Sequence, residues 1–597
     1  LAVANLQDRL QTFLTDGSLI FLFDNYEPAD RRRSQMIRDF AKSYPKITIV
    51  LFADERGGPF QRNTLENLEG EPRSLSLHPL KRKEVRELTK RWLAPSGLYS
   101  TETFHAVLRK IQTSGLPTTA YVVSMIAWTL ERQNLNANIN EAALLERFVD
   151  AILNKADAKE VNRASLDYTI RESFLAELSY KLRESDRYTM SLDELDQVAG
   201  EYVAARGWTT NAANFVRDLI NTGILIEVDG TVGYRYRCLR EYFLAKYINE
   251  DDEYREFVYA EANYLDFDRE IDILTGLRRK DKALLEKLIR YTDAHVAAGL
   301  DPYDLQDFDN VTFRFGAERT LMKRPESLSD LGIDDEIIEG VLDTADEENG
   351  PKAISGDLEN GTRPPNRNKI RDMATTYSSI TLLSKVVRNS ELLTDLELKK
   401  RAVLSSISHW GVFIGHVVSS FDKAIDSEEP GRESRYLGKL TDEQRQFVEH
   451  FVKVMLPLFL SGSIHSSLGT EKLRAIFESI VGDDSEPLLV RLLTAFLLID
   501  VSFLDRSEAA GEMIKRVEAF AKTLNSRFVS ELICEKLLFV YSSPNIGQSN
   551  RVLIERFYAE TQLRLFGIKA GSPRYSQGKS GIVKEMREKI ADDDTDA

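Results

Sequence analysis

The stretch GSLIFLFDNYE, residues 17–27, runs from Leu19 to Phe23 without a polar side chain, then meets Asp24, with Glu27 three positions on. A short, unbroken apolar run of this kind is how a strand buried on both faces reads. A carboxylate at the carboxyl end of such a strand is placed to hold Mg²⁺ through water against a phosphate. A second acid just beyond it is placed to polarise or order an attacking water. Asp24 and Glu27 are therefore the candidate catalytic pair, with Asp24 the candidate metal residue. The competing explanation is a buried strand whose exit happens to be acidic.

The sequence around this stretch extends the pattern. ITIVLFA (47–53) is a second apolar, β-branched run, and RRRSQMIRDFAKSY (31–44) between them has helical spacing with Met36, Ile37 and Phe40 on one side. Strand, helix and strand with short connections predict a right-handed parallel crossover. RSLSL (73–77) is a candidate third strand, so residues 1–78 read as the distal half of an α/β sheet. Arg56 follows the second strand in LFADERGG, where a guanidinium can reach a γ-phosphate; the alternative is a solvated loop arginine.

Beyond this sheet the chain turns helical. Residues 79–165 carry PLKRKEVRELTKRWL, TETFHAVLRKIQTS, TTAYVVSMIAWTLER and a further helix, interrupted at Gly115-Leu116-Pro117. That tripeptide ends one helix and starts another, with proline near the first turn, where its missing N–H costs nothing. Residues 166–250 carry three amphipathic helices, then ILIEVDGTVGYRYR, then LREYFLAKYI. Two alternating segments around Asp229-Gly230 predict a hairpin, and three helices with a hairpin predict a winged helix. From 251 onward the pattern is helical throughout. Residues 251–342 are a helical linker, 343–369 a polar Gly/Pro/Asn-rich loop, 370–568 an irregular α-solenoid and 569–597 an acidic tail expected to lack fixed structure. The expected fold is mostly α, with half of a P-loop-type α/β sheet in front.

Bulk composition narrows the function classes. With 597 residues the chain needs several domains, and its net charge of −16 argues against sequence-independent binding to nucleic acid or anionic membrane. Cys238 and Cys534 stand far apart, which excludes a disulfide framework and a cysteine zinc site and points to the cytoplasm. No apolar run approaches the roughly 18–20 residues that span a bilayer. His409 and His416 share a helix face but make only two ligands. LLTAFLLID, ending at Asp500, imitates an apolar strand but reads as a buried helix. GSPRYSQGKS (571–580) contains Gly-Lys-Ser without the GxxxxGK[ST] spacing or a preceding strand, so it is not a phosphate loop.

The order of these features resembles the STAND class of signalling NTPases, and within it the NACHT-like branch. YRYRCLREYFLAKYI (234–248) is similar to that family's end-of-winged-helix signature at Glu241, Tyr242, Phe243 and Ala245, and Ser-Gly-Leu-Pro is similar to its lid segment. The resemblance covers roughly residues 1–290. It implies an ATP or ADP site with Mg²⁺ in which Asp24 and Arg56 face phosphate and Pro117 lines the adenine pocket. Where the family often has a phosphate-contacting histidine, this chain has Tyr236, flanked by Arg235 and Arg237. Pro28 directly after Glu27 departs from the family's acidic pair and puts efficient hydrolysis in doubt.

No GxxxxGK[ST] motif occurs in the 597 residues. Either the phosphate loop lies upstream of Leu1, in a longer polypeptide with an N-terminal effector, or the NTPase is degenerate. By resemblance, residues 251–568 sense a protein trigger, viral in bacterial antiphage relatives, and drive self-association that activates the effector. Two other readings compete. One is a DNA-binding regulator that reads through 211–223, where Arg217 is offset by Asp218 and basic support comes only from Arg235, Arg237 and Arg240. The other is a helical scaffold without nucleotide.

Overall fold

In a computed structural model of the chain, described over residues 13–17, 19–26, 31–53, 79–114, 116–132, 140–153, 168–209, 211–228, 230–301, 304–305, 372–426, 457–503, 510–524, 527–541, 548–569 and 571–595, helices dominate. The first elements are β1 (Ile20–Tyr26), α1 (Arg31–Ser43), β2 (Thr48–Ala53), α2 (Arg82–Leu93), α3 (Thr101–Ser114), α4 (Ala120–Arg132) and α5 (Glu141–Ile152). Next come α6 (Tyr168–Glu184), β3 (Thr189–Ser191), α7 (Leu192–Ala205), α8 (Ala212–Asn221), β4 (Leu225–Val228), β5 (Thr231–Tyr234) and α9 (Arg237–Glu250). Then follow α10 (Asp252–Val258), α11 (Asp268–Arg278), α12 (Lys282–Gly299), α13 (Met373–Asn389), α14 (Leu396–Asp426) and α15 (457–468). The last are α16 (Arg474–Val481), α17 (Leu488–Phe503), α18 (Ala510–Thr523), α19 (Arg527–Tyr541), α20 (Gln548–Leu565) and α21 (Pro573–Thr595). They form two compact units. One takes the described residues up to Pro79 together with Arg147–Tyr247; the other takes Leu80–Glu146 and the described residues from Ile248 on.

In the first unit, β1 and β2 pair in parallel with Ile20 opposite Thr48 and Phe23 opposite Leu51, and α1 makes the crossover. Phe21 meets the Phe40 ring edge-on at 5.0 Å, which seats α1 on the sheet. Gly17 turns the chain into β1 with φ +80°; a Cβ there would lie 2.5 Å from the Lys46 carbonyl oxygen, so only glycine fits. Two expectations need correcting. β1 is not buried on both faces among the described residues, because Ile20 and Leu22 are 67% and 65% exposed; the described sheet has only two strands. Met36 also faces solvent, while Ile37 and Phe40 do the packing. The candidate strand at 73–77 and the loop at 343–369 lie outside the described residues.

The rest of this unit is a module of helices on a three-stranded antiparallel sheet of order β3-β5-β4. Leu225 pairs with Tyr234 and Val228 with Thr231, so the hairpin turns at 229–230, and β3 adds a short strand on the other side of β5. α7 starts where it does because Ser191 and Glu194 form a reciprocal capping box at 3.2 and 2.8 Å. These bonds, with the Arg187 guanidinium, hold the Glu194 carboxyl below its usual range. Asn211 caps α8 through Ala213 N and Asn214 N. Phe174, Tyr202 and Phe215 fill the core with edge-on ring contacts at 5.1 and 4.9 Å.

In the second unit, α2, α3 and α4 pack on one another through Val85, Leu93, Phe104, Val107, Val123 and Ile126, all buried. The array runs on as neighbour against neighbour: α11, α12 and α14 on α13, α14 and α16 on α17, α18 and α19 on α17, then α20 and α21. α17 is buried all round apart from Leu488 and Arg491, the condition under which a helix loses its polar face. Within it Asp500 pairs with Lys536 of α19 at 2.7 Å, and the two side chains are 1% and 2% exposed. The Lys536 ammonium also donates to Ser461 Oγ of α15 at 2.9 Å.

Two further expectations change. The tail is not without structure over 573–595, because α21 finds ionic partners on α20. Residues Leu396–Ser419 of α14 are long and apolar enough to cross a membrane by length and composition, although half of that stretch is buried inside the protein. Ser405, Ser406 and His409 interrupt its apolar run, which is why no continuous span stands out in the sequence.

Replacing Lys536 with Met leaves the Asp500 carboxylate buried and unpaired, a loss of roughly 3–5 kcal/mol. Changing both, Asp500→Leu with Lys536→Met, recovers most of it, because the desolvation cost of the pair disappears as well. Urea midpoints of the two variants check this.

Candidate functional site

The β1–β2 register breaks between Phe23 and Tyr26. Phe23 pairs with Leu51 and Tyr26 with Ala53, so Asp24 and Asn25 stand opposite the single residue Phe52. This is a bulge, a device that bends a strand and re-aims the residues within it. The strand also runs two residues past Asp24, so Asp24 sits inside the irregularity rather than at the strand's exit. Glu27 and Arg56 lie outside the described residues.

Pro117 sits half-buried in the short link between α3 and α4. Leu116 N donates to Ile111 O at 3.1 Å and closes α3, while Thr119 Oγ1 accepts from Val122 N at 3.3 Å and opens α4. Leu80 N donates to Thr118 O at 2.7 Å, tying this link to the segment that leads into α2. Beside it the Arg82 and Arg86 guanidinium groups stack on Phe104 at 4.8 and 4.9 Å, and Arg82 lies 2.9 Å from His105 Nε2. Pro117 belongs to the second unit, and Asp24 and Tyr236 to the first.

Arg235, Tyr236 and Arg237 are brought together where the hairpin turns into α9. The junction is held by Tyr234, whose buried hydroxyl donates to Leu175 O at 2.5 Å and accepts from Ser179 Oγ at 2.8 Å. Burial pushes its ionisation well above the usual tyrosine range. Arg235 N donates to Ile224 O at 2.8 Å, and its guanidinium lies against Gly223, where a Cβ would meet Nη1 at 3.2 Å. Gly223 has φ +78°, so the helix-to-strand turn and the arginine's resting place need the same glycine. The Tyr236 ring lies 6.3 Å from Phe148 and 5.8 Å from the Arg235 guanidinium. Arg237 Nε donates to Glu241 Oε1 at 2.7 Å, and Arg240 stacks on Tyr188 at 4.2 Å.

The signature residues Glu241, Tyr242, Phe243 and Ala245 are all buried, so their likeness to a family pattern is first a packing pattern. Tyr242 Oη reaches Glu172 at 3.4 Å, and Lys246 pairs with the same carboxylate at 3.1 Å. Sequence reasoning missed Tyr234 and Ser179, which are 55 residues apart. It could have found Arg237 with Glu241, whose i,i+4 spacing marks a helical ion pair.

Other polar clusters are structural. His409 faces Asp293 at 2.8 Å, and His416 Nδ1 accepts from Asp301 N at 2.9 Å. No group of three or more His, Cys, Asp or Glu side chains among the described residues could hold a metal. A small cavity walled by Glu141, Arg269, Asp272 and Arg388 pairs acids with bases, as expected of a charged joint between helices. The Gly-Lys-Ser of the tail lies within α21, with no strand before it.

A family model described as Novel STAND NTPase 4 matches residues 188–244, which run from the start of β3 into α9. This similarity supports a STAND-type NTPase. No curated protein and no solved structure matches the chain.

Tyr234→Phe removes the donor to Leu175 O and the acceptor for Ser179, at a cost of roughly 1–3 kcal/mol. The native ionisation of Tyr234 is raised above its unfolded value, so its contribution is complete below about pH 10 and falls as pH rises beyond that. The gap in thermal stability between wild type and Tyr234→Phe should therefore be constant from pH 6 to 9 and narrow above 10.

Proposed function

We propose that the chain is the switch-and-sensor portion of a STAND-type, nucleotide-dependent signalling protein of the NACHT-like branch. The observation that carries this reading is the family similarity over 188–244. It falls on the module whose hairpin-to-helix junction gathers Arg235, Tyr236 and Arg237. The module's element order, α6-β3-α7-α8-β4-β5-α9, supports a winged helix, and the bulge at Asp24 in a parallel strand pair supports a metal-holding strand.

The proposed nucleotide is ATP or ADP with Mg²⁺. Asp24 holds the ion through water, Glu27 orders the attacking water, Arg56 faces the γ-phosphate and Pro117 lines the adenine. Tyr236 and its flanking arginines contact phosphate in the resting state. Arg237 is tied to the buried Glu241 through Nε, and its side chain is 61% exposed, so the pair fixes the position from which the guanidinium would meet phosphate. Residues 251–568 take the protein trigger, a viral one in antiphage defence. The trigger binds the open state more tightly than the closed one, and that difference drives self-association and activation of an N-terminal effector in the cytoplasm.

The DNA-binding alternative gains no support from side-chain placement. The exposed residues of the α8 segment are Asn211, Asn214, Arg217, Asp218 and Asn221, one cation against one anion. Arg237 and Arg240 are engaged within the module. A reader of phosphates and base edges needs the opposite balance.

Calorimetric titration of Mg·ATP into the natural polypeptide that contains these residues tests the reading. Asp24→Asn should weaken binding by on the order of tenfold or more and remove its Mg²⁺ dependence, with far-UV circular dichroism unchanged. Equal affinity in wild type and variant would sink the assignment of Asp24.

A further inference from the structure

The small cavity of the second unit lies where the first turn of α5 meets α11 and α13, and its wall includes Glu141, Arg269, Asp272, Arg388 and Asn389. Asn140 makes the direct contact between α5 and α11. Its Nδ2 donates to Gly276 O at 2.9 Å, while its Oδ1 accepts from Ala142 N at 3.0 Å and Ala143 N at 3.3 Å and caps α5. A Cβ on Gly276 would stand 2.7 Å from Ala142 Cβ, so the two helices are already at their closest approach.

That spacing leaves one acceptor unserved. Around it the polar groups have partners: Asn389 Nδ2 donates to Asp272 Oδ1 at 3.1 Å, Lys385 Nζ to Asp272 Oδ2 at 2.7 Å, and Arg388 Nη1 to Ser466 O. Glu141 Oε2, by contrast, is buried and accepts no hydrogen bond from the protein. Arg269 Nη1 stands 3.9 Å from Glu141 Oε2 and 3.9 Å from Asp272 Oδ2, beyond hydrogen-bond reach of either. A buried carboxylate oxygen without a donor is costly, and α5 cannot move closer to α11 to shorten the gap.

We infer that this cavity is a binding site for one water molecule, which bridges Glu141, Arg269 and Asp272. Its size suits a single water, since about 10 Å³ is open to the centre of such a molecule. The chemistry selects water over an ion. Glu141 Oε2 needs a donor, which an anion does not supply, and the cations Lys385, Arg388 and Arg269 already act on Asp272, which disfavours a metal. A water accepts from Arg269 Nη1 and donates one proton each to Glu141 Oε2 and Asp272 Oδ2. Three bonds are what a buried water commonly makes, and Asp272 Oδ2 keeps its bond from Lys385 because a carboxylate oxygen takes two donors. α5 is thereby joined to α11 by a water-mediated ion pair beside the direct bond from Asn140. This inference does not depend on the nucleotide reading.

Crystal structures of the natural polypeptide that contains these residues, wild type and Glu141→Leu, test the site at a resolution that shows ordered water. Wild type should show one peak within about 3.2 Å of Glu141 Oε2, Arg269 Nη1 and Asp272 Oδ2. Glu141→Leu removes one of the three partners and fills part of the space, so the peak should be lost while Asn140 still bonds to Gly276. If the variant does not fold, the wild-type density decides alone. Wild-type density with no peak, or with Glu141 bonded directly to Arg269, would overturn the site. A peak that persists in Glu141→Leu would overturn it as well.

Discussion

The buried hydroxyl of Tyr234 is the contact on which the best-supported part of this molecule depends. It joins β5 to α6 through Leu175 O and Ser179. Since β5 is the central strand, with β3 and β4 on either side, anchoring its end fixes the whole small sheet. The next residues then have little freedom. Arg235 is bonded to Ile224, Tyr236 rests near Phe148 and Arg237 begins α9. A hydroxyl that both donates and accepts in a dry interior is worth more than its length suggests, because losing it strands two partners. The geometry of residues 235–237, where the proposed phosphate contact lies, follows from this one buried group.

Much of this was legible in the sequence, for physical reasons. The apolar runs 18–24 and 47–53 form the parallel pair, because β-branched and aromatic runs of that length favour extended backbone. The alternation around Asp229-Gly230 gives the hairpin, and LLTAFLLID is a buried helix because no polar face interrupts it. Less visible was anything that depends on distant partners. β3 is three residues long and exists because Thr231–Gly233 lie beside it. α21 looks like a solvated tail until Glu555 and Glu560 are placed opposite Arg587 and Lys579. The bulge at Asp24 depends on the partner strand's register, which no local pattern states. Of the candidate site, Arg235, Tyr236 and Arg237 share one junction and Pro117 occupies a helix break, while Glu27 and Arg56 lie outside the described residues.

The helical array is held by apolar burial along α17, yet its interior carries paired charge. Asp500 with Lys536, and Asp272 with Lys385 at 2.7 Å, tie helices that are far apart in sequence. Lys385 and the neighbouring Arg388 and Arg269 hold the Asp272 carboxyl below its usual range, against the opposing push of burial. Such pairs add little net stability but penalise any packing that separates them. In an irregular array without a strict repeat, they make one helix register preferable to its neighbours.

The central claim is that this chain works with a bound adenine nucleotide. The most direct measurement is the nucleotide content of the natural polypeptide that contains these residues, purified without added nucleotide, denatured, and analysed by anion-exchange chromatography. The account predicts ADP or ATP at close to one per chain, or saturable Mg²⁺-dependent uptake of ATP if the site is isolated empty. A polypeptide that carries none and takes up none would contradict it.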